Sequence, residues 1–192
     1  MQPLILASSS PYRRELLTRL CNPFDYRSPE IDETPLAGEQ PVDLVMRLAQ
    51  LKAQRVAETL THGLIIASDQ VACLEQQILT KPDGFDNACA QLSQCSDKTV
   101  SFYTSLALLN VTSGLLQLSV EVTAVSFRPL TREQITRYLQ AETPYDCAGS
   151  FKAEGLGISL FKSIRSDDPT SLIGLPLIRL VEFLQNEGVE IP

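Results

Sequence analysis

The sequence predicts an α/β fold in which a mixed β-sheet is flanked by helices. Residues 3–7 predict a strand, and the segment LIIASD (64–69) predicts a short buried strand. Two long segments in which apolar and polar residues alternate, 100–110 and 115–128, predict an antiparallel hairpin. Because helical segments fall between these strands without strict alternation, we expect a mixed sheet and not a purely parallel one.

The first half of the chain predicts three helices and a short hairpin. Ser10 can cap a helix that has a proline in its first turn and continues to about Leu20. Residues 41–60 predict the clearest helix, because their apolar residues form one stripe at 100° per residue. Residues 71–80 predict a hairpin, and a further helix is expected at 85–95.

The second half of the chain adds two helices and a strand to the long hairpin. Thr131 and Gln134 have the spacing of a capping box, which predicts the start of a helix. A glycine-rich stretch, AGSFKAEGLG, is expected to form a loop before the next strand. The predicted helices span residues 133–142 and 176–186, and the predicted strand spans residues 158–161.

Composition limits the kinds of partner. The 192 residues carry a net charge of −7 and are 44% hydrophobic. These values fit one globular domain, or two small lobes around a central cleft, and argue against a binder of nucleic acid or anionic membranes. The five cysteines are scattered without a C-x-x-C pair, so we expect reduced thiols. With neither a signal peptide nor a membrane segment apparent, the prediction is a cytoplasmic protein.

Lys52 occupies an unusual position on the predicted helix 41–60. It falls within the apolar stripe and not on the polar face. One interpretation is a lysine that extends its ammonium to solvent from the edge of the stripe. The other is a cation that points into a cleft to meet an anion, and the sequence leaves both open.

Several other charged residues lie where strands are expected to end. Asp69 ends the predicted strand segment LIIASD, at the edge where α/β sheets place their ligands, although a turn or cap aspartate remains an alternative. Glu33 and Lys81 each follow a further predicted strand, and Arg13 lies in the first turn of a helix. Cations for phosphate oxygens, with carboxylates for a divalent metal and an attacking water, are the groups that bind and cleave a polyphosphate.

Other chemistries find little support in the sequence. The single histidine, His62, lies in a predicted turn, and the motif G-x-S-x-G is absent, which argues against a Ser-His-Asp triad. The chain contains no G-x-x-x-x-G-K-[ST] phosphate-binding loop. The glycine-rich stretch does not match G-x-G-x-x-G, so a dinucleotide-binding fold is not predicted.

Seven segments between residue 4 and about residue 180 match a known family in order: LILASSSPYRRELL, IDET, RLAQLKA, IIASDQV, LTKP, AGSFKAEGLG and IGLPL. They resemble the Maf family of nucleoside triphosphate pyrophosphatases. The resemblance implies an elongated mixed sheet flanked by helices, related to the inosine-triphosphate pyrophosphatases, and a homodimer. It implies cleavage of the α–β phosphoanhydride of a nucleotide with Mg²⁺ or Mn²⁺.

The same resemblance implies roles for individual residues. Asp69 corresponds to the general base that activates water, and Glu33 to a carboxylate that binds the metal with it. Lys52 corresponds to a catalytic cation. The phosphate-binding set that the resemblance implies is Ser8, Arg13, Lys52 and Lys81.

Two segments, SDQV and GSFKAEG, resemble the members of the family that act on 7-methyl-GTP. Methylation at N7 makes guanine cationic, so Tyr12 could stack on the ring, and Glu154 could accept hydrogen bonds from it. Gln70 adds an amide at the edge of the base. A solvated Glu154, a dTTP or UTP pyrophosphatase of the same family, and a nucleotide-binding cell-division regulator remain alternatives. The stretch SDDPTSLIGLPL departs from many relatives and leaves open the roles of Asp167 and Asp168.

Overall fold

A computed structural model describes residues 2–191 and confirms the α/β class. The described residues form eight strands and five α-helices. In chain order these are β1 (Leu4–Ala7), α1 (Pro11–Thr18), β2 (Asp25–Arg27), α2 (Pro41–Ala57), β3 (Leu64–Ala67), β4 (Gln70–Leu74), β5 (Gln77–Leu79), α3 (Phe85–Cys95), β6 (Thr99–Asn110), β7 (Leu116–Phe127), α4 (Arg132–Glu142), β8 (Phe161–Arg165) and α5 (Leu177–Asn186).

The described residues divide into two compact units. Unit 1 comprises residues 2–70, 104–121 and 168–191, and unit 2 comprises residues 71–103 and 122–167. The long strands β6 and β7 contribute residues to both units. No helix in the described part of the chain is long and apolar enough to cross a membrane.

Unit 1 contains the predicted mixed sheet. Strand β1 pairs in parallel with β2 on one side and with β3 on the other. Strand β3 then pairs antiparallel with the second half of β6, with Ile66 opposite Leu108. The parallel strands β1 and β3 are nearly continuous apolar runs because both faces of this sheet are covered.

Alternation along the strands of unit 1 separates two apolar clusters. Leu6, Leu64 and Ile66 pack on one face with residues of α1 and α5. Their neighbours Ile5 and Ile65 pack on the other face with residues of α2. Because successive side chains of a strand point to opposite faces, one sheet can hold helices on both sides and direct the ends of its strands toward a single edge.

Unit 2 contains the β4–β5 hairpin, helices α3 and α4, and strand β8, which pairs antiparallel with β7. Four phenylalanines meet edge to face in its core, with ring centroids 4.8 to 5.5 Å apart: Phe102, Phe127, Phe151 and Phe161. Such edge-to-face contacts add to the burial of apolar area in stabilising a core.

Both predicted N-terminal caps are confirmed. The Ser10 side chain accepts a hydrogen bond from the backbone of Arg13 at the start of α1. At the start of α4, the Thr131 hydroxyl accepts from Gln134 N, and the Gln134 side chain accepts from Thr131 N, as a capping box requires.

The strand predicted at 158–161 is wrong. Residues Leu156–Leu160 form a 3₁₀ turn, and β8 begins only at Phe161. Within the turn the buried residues are Gly157 and Leu160, three positions apart, whereas Ile158 is exposed. Burial in this segment therefore repeats every three residues, as in a 3₁₀ turn, and not every two residues, as in a strand.

Candidate active site

Asp69 lies just beyond the carboxyl end of β3 and is buried. Its backbone N–H donates to Ser105 Oγ at 3.0 Å, and its carbonyl accepts from Ser105 N at 2.9 Å. Ser105 in turn donates its hydroxyl to the Val45 carbonyl of α2 at 2.7 Å. The backbone that carries the carboxylate is therefore attached to both β6 and α2, which restricts its movement.

Lys52 projects from α2 and ends between two carboxylates. Its Nζ lies 2.5 Å from Asp69 Oδ1 and 2.8 Å from Glu33 Oε1. Only 6% of Lys52 is exposed, so the alternative in which its ammonium reaches solvent does not hold. The second carboxylate oxygen of Asp69 has no hydrogen-bond partner within residues 2–191, which leaves an acceptor for a ligand or a water.

Glu33 reaches this cluster from a loop and not from the end of a strand, because β2 already ends at Arg27. The loop is attached to α2 by Arg47, which donates to the Thr34 carbonyl at 3.2 Å and pairs with Glu39 at 2.6 and 2.8 Å. The hydrogen bond from Arg47 lowers the pKa of Glu39 to about 2. The sequence-based interpretation of Glu33 as a strand-end residue was wrong, and the structure instead brings its loop to Lys52.

Arg13 supplies a second cation near the carboxylates. Its Nε donates to the Gly174 carbonyl at 2.7 Å, whereas neither Nη group has a hydrogen-bond partner in the described part of the chain. Burial lowers the pKa of the Arg13 guanidinium, and the nearby carboxylates of Asp69 and Glu33 act in the opposite direction. A desolvated guanidinium with free N–H groups is suited to bind an anion in two-point fashion.

The serine-rich turn before α1 has a defined hydrogen-bond pattern. Ser8 is buried, and its hydroxyl accepts from Ser10 N at 3.1 Å, which leaves its own proton free to be donated. Tyr12 is half-buried in the first turn of α1. Arg14 instead lies over the ring of Tyr26, 4.4 Å from its centroid, which is a structural contact.

Gln70 is engaged within unit 1. Its amide nitrogen donates to Thr104 Oγ1 and to the Ser171 carbonyl, both at 2.8 Å, and approaches the Leu172 carbonyl at 3.1 Å. The amide protons thus hold the 171–172 backbone. The contact of Gln70 with the base remains a prediction. Because the amide nitrogen is already engaged, only the amide oxygen could accept a hydrogen bond from the base.

Lys81 and Glu154 belong to unit 2, and both are exposed. Lys81 follows β5, and Glu154 lies in the glycine-rich loop, where Leu156 N donates to Glu142 Oε2 at 2.7 Å. A Cβ at Gly155 would lie 2.8 Å from the Glu142 carboxylate, so a larger residue there would shift that side chain. The predicted contacts of Lys81 with phosphate and of Glu154 with the base remain predictions.

The two carboxylates around Lys52 fit a divalent metal that arrives with its substrate. Asp69 and Glu33 both direct an oxygen at one ammonium, so they converge on a position that a cation occupies. Within residues 2–191 no three His, Cys, Asp or Glu side chains converge to hold a metal. Mg²⁺ is commonly held by one or two carboxylates plus substrate phosphates, and the two carboxylates fit the protein's part of that donor set.

Sequence reasoning missed the groups that support this site. Ser68 and Ser105 are fully buried, and Gly174 accepts the hydrogen bond of Arg13. Asp168, whose role was open, is 2% exposed; its Oδ1 accepts from Thr170 N at 2.8 Å and its Oδ2 from Ile178 N at 2.7 Å. Asp168 therefore supports the start of α5. In the sequence, only the position of Asp168 before a proline indicated that it could have this structural role.

Fold and site together define an α/β protein with an acid–lysine cluster and a half-buried arginine at the carboxyl end of a sheet. The chain belongs to the Maf-like protein family, whose model matches residues 3–187. It is 58% identical over 192 residues to the 7-methyl-GTP pyrophosphatase of Pseudomonas putida, with full coverage of both chains. Identity is 56%, again over both full chains, to the protein of that name from Pseudomonas aeruginosa. The sequence identity to the 7-methyl-GTP pyrophosphatase of Nitrosococcus oceani is 55%, over 96% of this chain and 93% of the relative.

Proposed function

We propose that this chain is a metal-dependent pyrophosphatase that hydrolyses 7-methyl-GTP to 7-methyl-GMP and pyrophosphate, thereby removing a modified nucleotide. The observation that carries the reaction is the convergence of Asp69 and Glu33 on Lys52, near the half-buried guanidinium of Arg13. The names of relatives 55 to 58% identical support the substrate. Because nucleoside triphosphates are cytoplasmic metabolites, the proposal places the enzyme in the cytoplasm.

In the proposed reaction, a water molecule attacks the α-phosphorus. Asp69 takes the proton of that water on the carboxylate oxygen that Lys52 does not contact. The bond from the α-phosphorus to the bridging oxygen breaks, and its electron pair leaves with pyrophosphate. Arg13, Lys52 and Lys81, with the hydroxyl of Ser8, bind the phosphate oxygens on which this charge develops.

A divalent cation held by Asp69, Glu33 and the phosphates would supply Lewis-acid stabilisation of the same charge. If Asp69 and Glu33 held the metal, the ammonium of Lys52 would be free to bind phosphate instead. We therefore expect an excess of EDTA to abolish pyrophosphate release, and added Mg²⁺ or Mn²⁺ to restore it. The measurement is pyrophosphate release at fixed substrate, and full activity in EDTA would contradict the metal part of the proposal.

For the base, the proposal assigns stacking on the ring to Tyr12 and hydrogen bonding to Glu154 and Gln70, as the family resemblance implies. A cationic ring favours both a tyrosine face and a carboxylate acceptor. A panel of nucleoside triphosphates with Mg²⁺ tests the substrate by pyrophosphate release. Preference for 7-methyl-GTP supports the proposal, preference for UTP or dTTP supports the pyrimidine branch, and no release from any nucleotide favours a binding regulator.

Glu154→Gln provides a sharper test of base recognition. The amide removes the charge that opposes the methylated ring, so we expect kcat/KM for 7-methyl-GTP to fall about tenfold, with a smaller change for GTP. Glu190→Gln, in the exposed C-terminal segment, is the matched control. Equal losses for GTP and 7-methyl-GTP would contradict the role of Glu154.

The proposal includes a homodimer, which the family resemblance implies. Sedimentation velocity at micromolar concentration measures the mass of the particle directly. A species of 21.2 kDa, the mass of one chain, would contradict this part of the proposal.

A further inference from the structure

The carbonyl oxygen of Gly174 accepts two hydrogen bonds from different elements of unit 1. Arg13 Nε donates to it from α1 at 2.7 Å, and Ser68 Oγ donates to it from the end of β3 at 2.8 Å. A carbonyl oxygen has two lone pairs, so this acceptor is fully used. Ser68 is completely buried and directly precedes Asp69 in the chain. One oxygen therefore joins the arginine to the backbone that bears the carboxylate.

Position 174 requires glycine for two separate reasons. Its φ of +121° lies in the region that residues with a Cβ rarely adopt. A Cβ placed there would also lie 3.3 Å from Arg13 Nε, closer than an ordinary contact. A side chain at this position would thus both strain the turn and displace the guanidinium.

The turn that carries this carbonyl is itself firmly held. Thr104 Oγ1 and the Gln70 amide donate to the Ser171 carbonyl at 2.9 and 2.8 Å. Within the turn, Thr170 Oγ1 donates to the Leu175 carbonyl at 2.8 Å. Residues on both sides of the acceptor are fixed in this way, so the carbonyl forms a rigid support.

We infer that Gly174 is a positioning residue, whose carbonyl orients the Arg13 guanidinium toward the pyrophosphate part of the substrate and fixes its distance from Asp69. The inference rests on the proposed function for the identity of the anion. Anchoring Nε fixes the plane of the guanidinium, and both Nη groups then face the ligand without searching among rotamers. Ser68 is a second positioning residue, because it holds the same oxygen from the opposite side.

The test is a double-mutant cycle in the full-length protein. We expect Gly174→Ala to weaken binding of magnesium pyrophosphate, measured by calorimetry, about 10- to 100-fold, with a matching rise in KM and a smaller change in kcat. In an Arg13→Met background, the same glycine substitution should produce no further loss, because its effect passes through the arginine. Equal losses in both backgrounds would overturn the inference.

Two further variants keep the result interpretable. Gly188→Ala also places a Cβ at a positive φ, of +74°, but no atoms lie within 4 Å of the added Cβ, so it should leave pyrophosphate binding unchanged. Ser68→Ala removes one hydrogen bond without backbone strain, and should weaken binding about two- to tenfold only when Arg13 is present. If Gly174→Ala does not fold, the double-mutant cycle of Ser68→Ala with Arg13→Met is the test. An equal loss of pyrophosphate affinity with and without Arg13 would then overturn the inference.

The readouts separate this inference from the proposed function. Binding of magnesium pyrophosphate does not require any nucleotide to be cleaved, so the cycle can succeed even when 7-methyl-GTP is not hydrolysed. Conversely, hydrolysis with additive losses would support the function and overturn the positioning role. Failure of the unmodified chain to bind magnesium pyrophosphate would also overturn it.

Discussion

Replacement of Asp69 by Asn is expected to reduce kcat by about 10²- to 10⁴-fold while KM changes little. The amide has nearly the same shape as the carboxylate and keeps an oxygen toward Lys52, which lies 2.5 Å from Oδ1 in the native chain. It cannot, however, accept a proton from water at the other position. The measurement is steady-state pyrophosphate release over a range of 7-methyl-GTP concentrations.

An exposed aspartate of the same unit provides the control. Asp25→Asn, at the start of β2, removes one negative charge away from the cluster and should leave turnover unchanged. The thermal midpoint of each variant shows whether it is folded. A folded Asp69→Asn protein that keeps more than about a third of the native kcat would exclude Asp69 as the general base.

Replacement of Lys52 by Met is expected to lower kcat/KM by about 10²- to 10³-fold and to increase the affinity for Mn²⁺ in the absence of nucleotide. The activity falls because a cation that binds phosphate is lost. The metal affinity rises because the ammonium and Mn²⁺ compete for the same two carboxylates, Asp69 and Glu33. We expect the gain in affinity to be at least about tenfold, since two converging carboxylates lose their compensating charge.

Titration of free Mn²⁺ by electron paramagnetic resonance measures this affinity without any turnover. Lys162→Met removes an exposed lysine from β8 and should change neither activity nor metal binding. The double variant with Lys52→Met and Glu33→Gln should lose the gained affinity, because one of the two carboxylates is gone. Unchanged Mn²⁺ binding in folded Lys52→Met would contradict competition between lysine and metal.

The elements with strong local signals were predictable from the sequence. The α2 stripe is correct because burial on one face of a helix repeats every three to four residues, and Lys52 lies in that stripe as predicted. The capping box of α4 is also correct, since its two hydrogen bonds join residues three apart. Residues 158–161 were mistaken for a strand because their apolar letters suggested one, whereas Ile158 is exposed in a 3₁₀ turn. A short apolar segment does not by itself show which of its side chains will face a core.

The charged residues of the site illustrate the same limit. Asp69 and Lys52 stood out because each departs from an apolar context, and the structure joins them. Ser68 and Gly174 gave no such sign, because a serine and a glycine are ordinary in turns. Their importance comes from a single carbonyl that α1 and β3 approach from distant parts of the chain.

The sequence by itself determined the α/β class, most of the helices and strands, and the acid–lysine chemistry, because hydrophobic periodicity and misplaced charges are local properties. Only the tertiary structure decided that Glu33 reaches Lys52 from a loop, and that Arg13 is oriented by the Gly174 carbonyl. Contacts between residues far apart in the chain depend on how the sheet and helices pack, so they cannot be predicted from any one segment of the sequence. The residues of the serine–arginine segment at the start of α1 are thus evident in the local sequence, but the orientation of Arg13 depends on Gly174, 161 positions later in the chain.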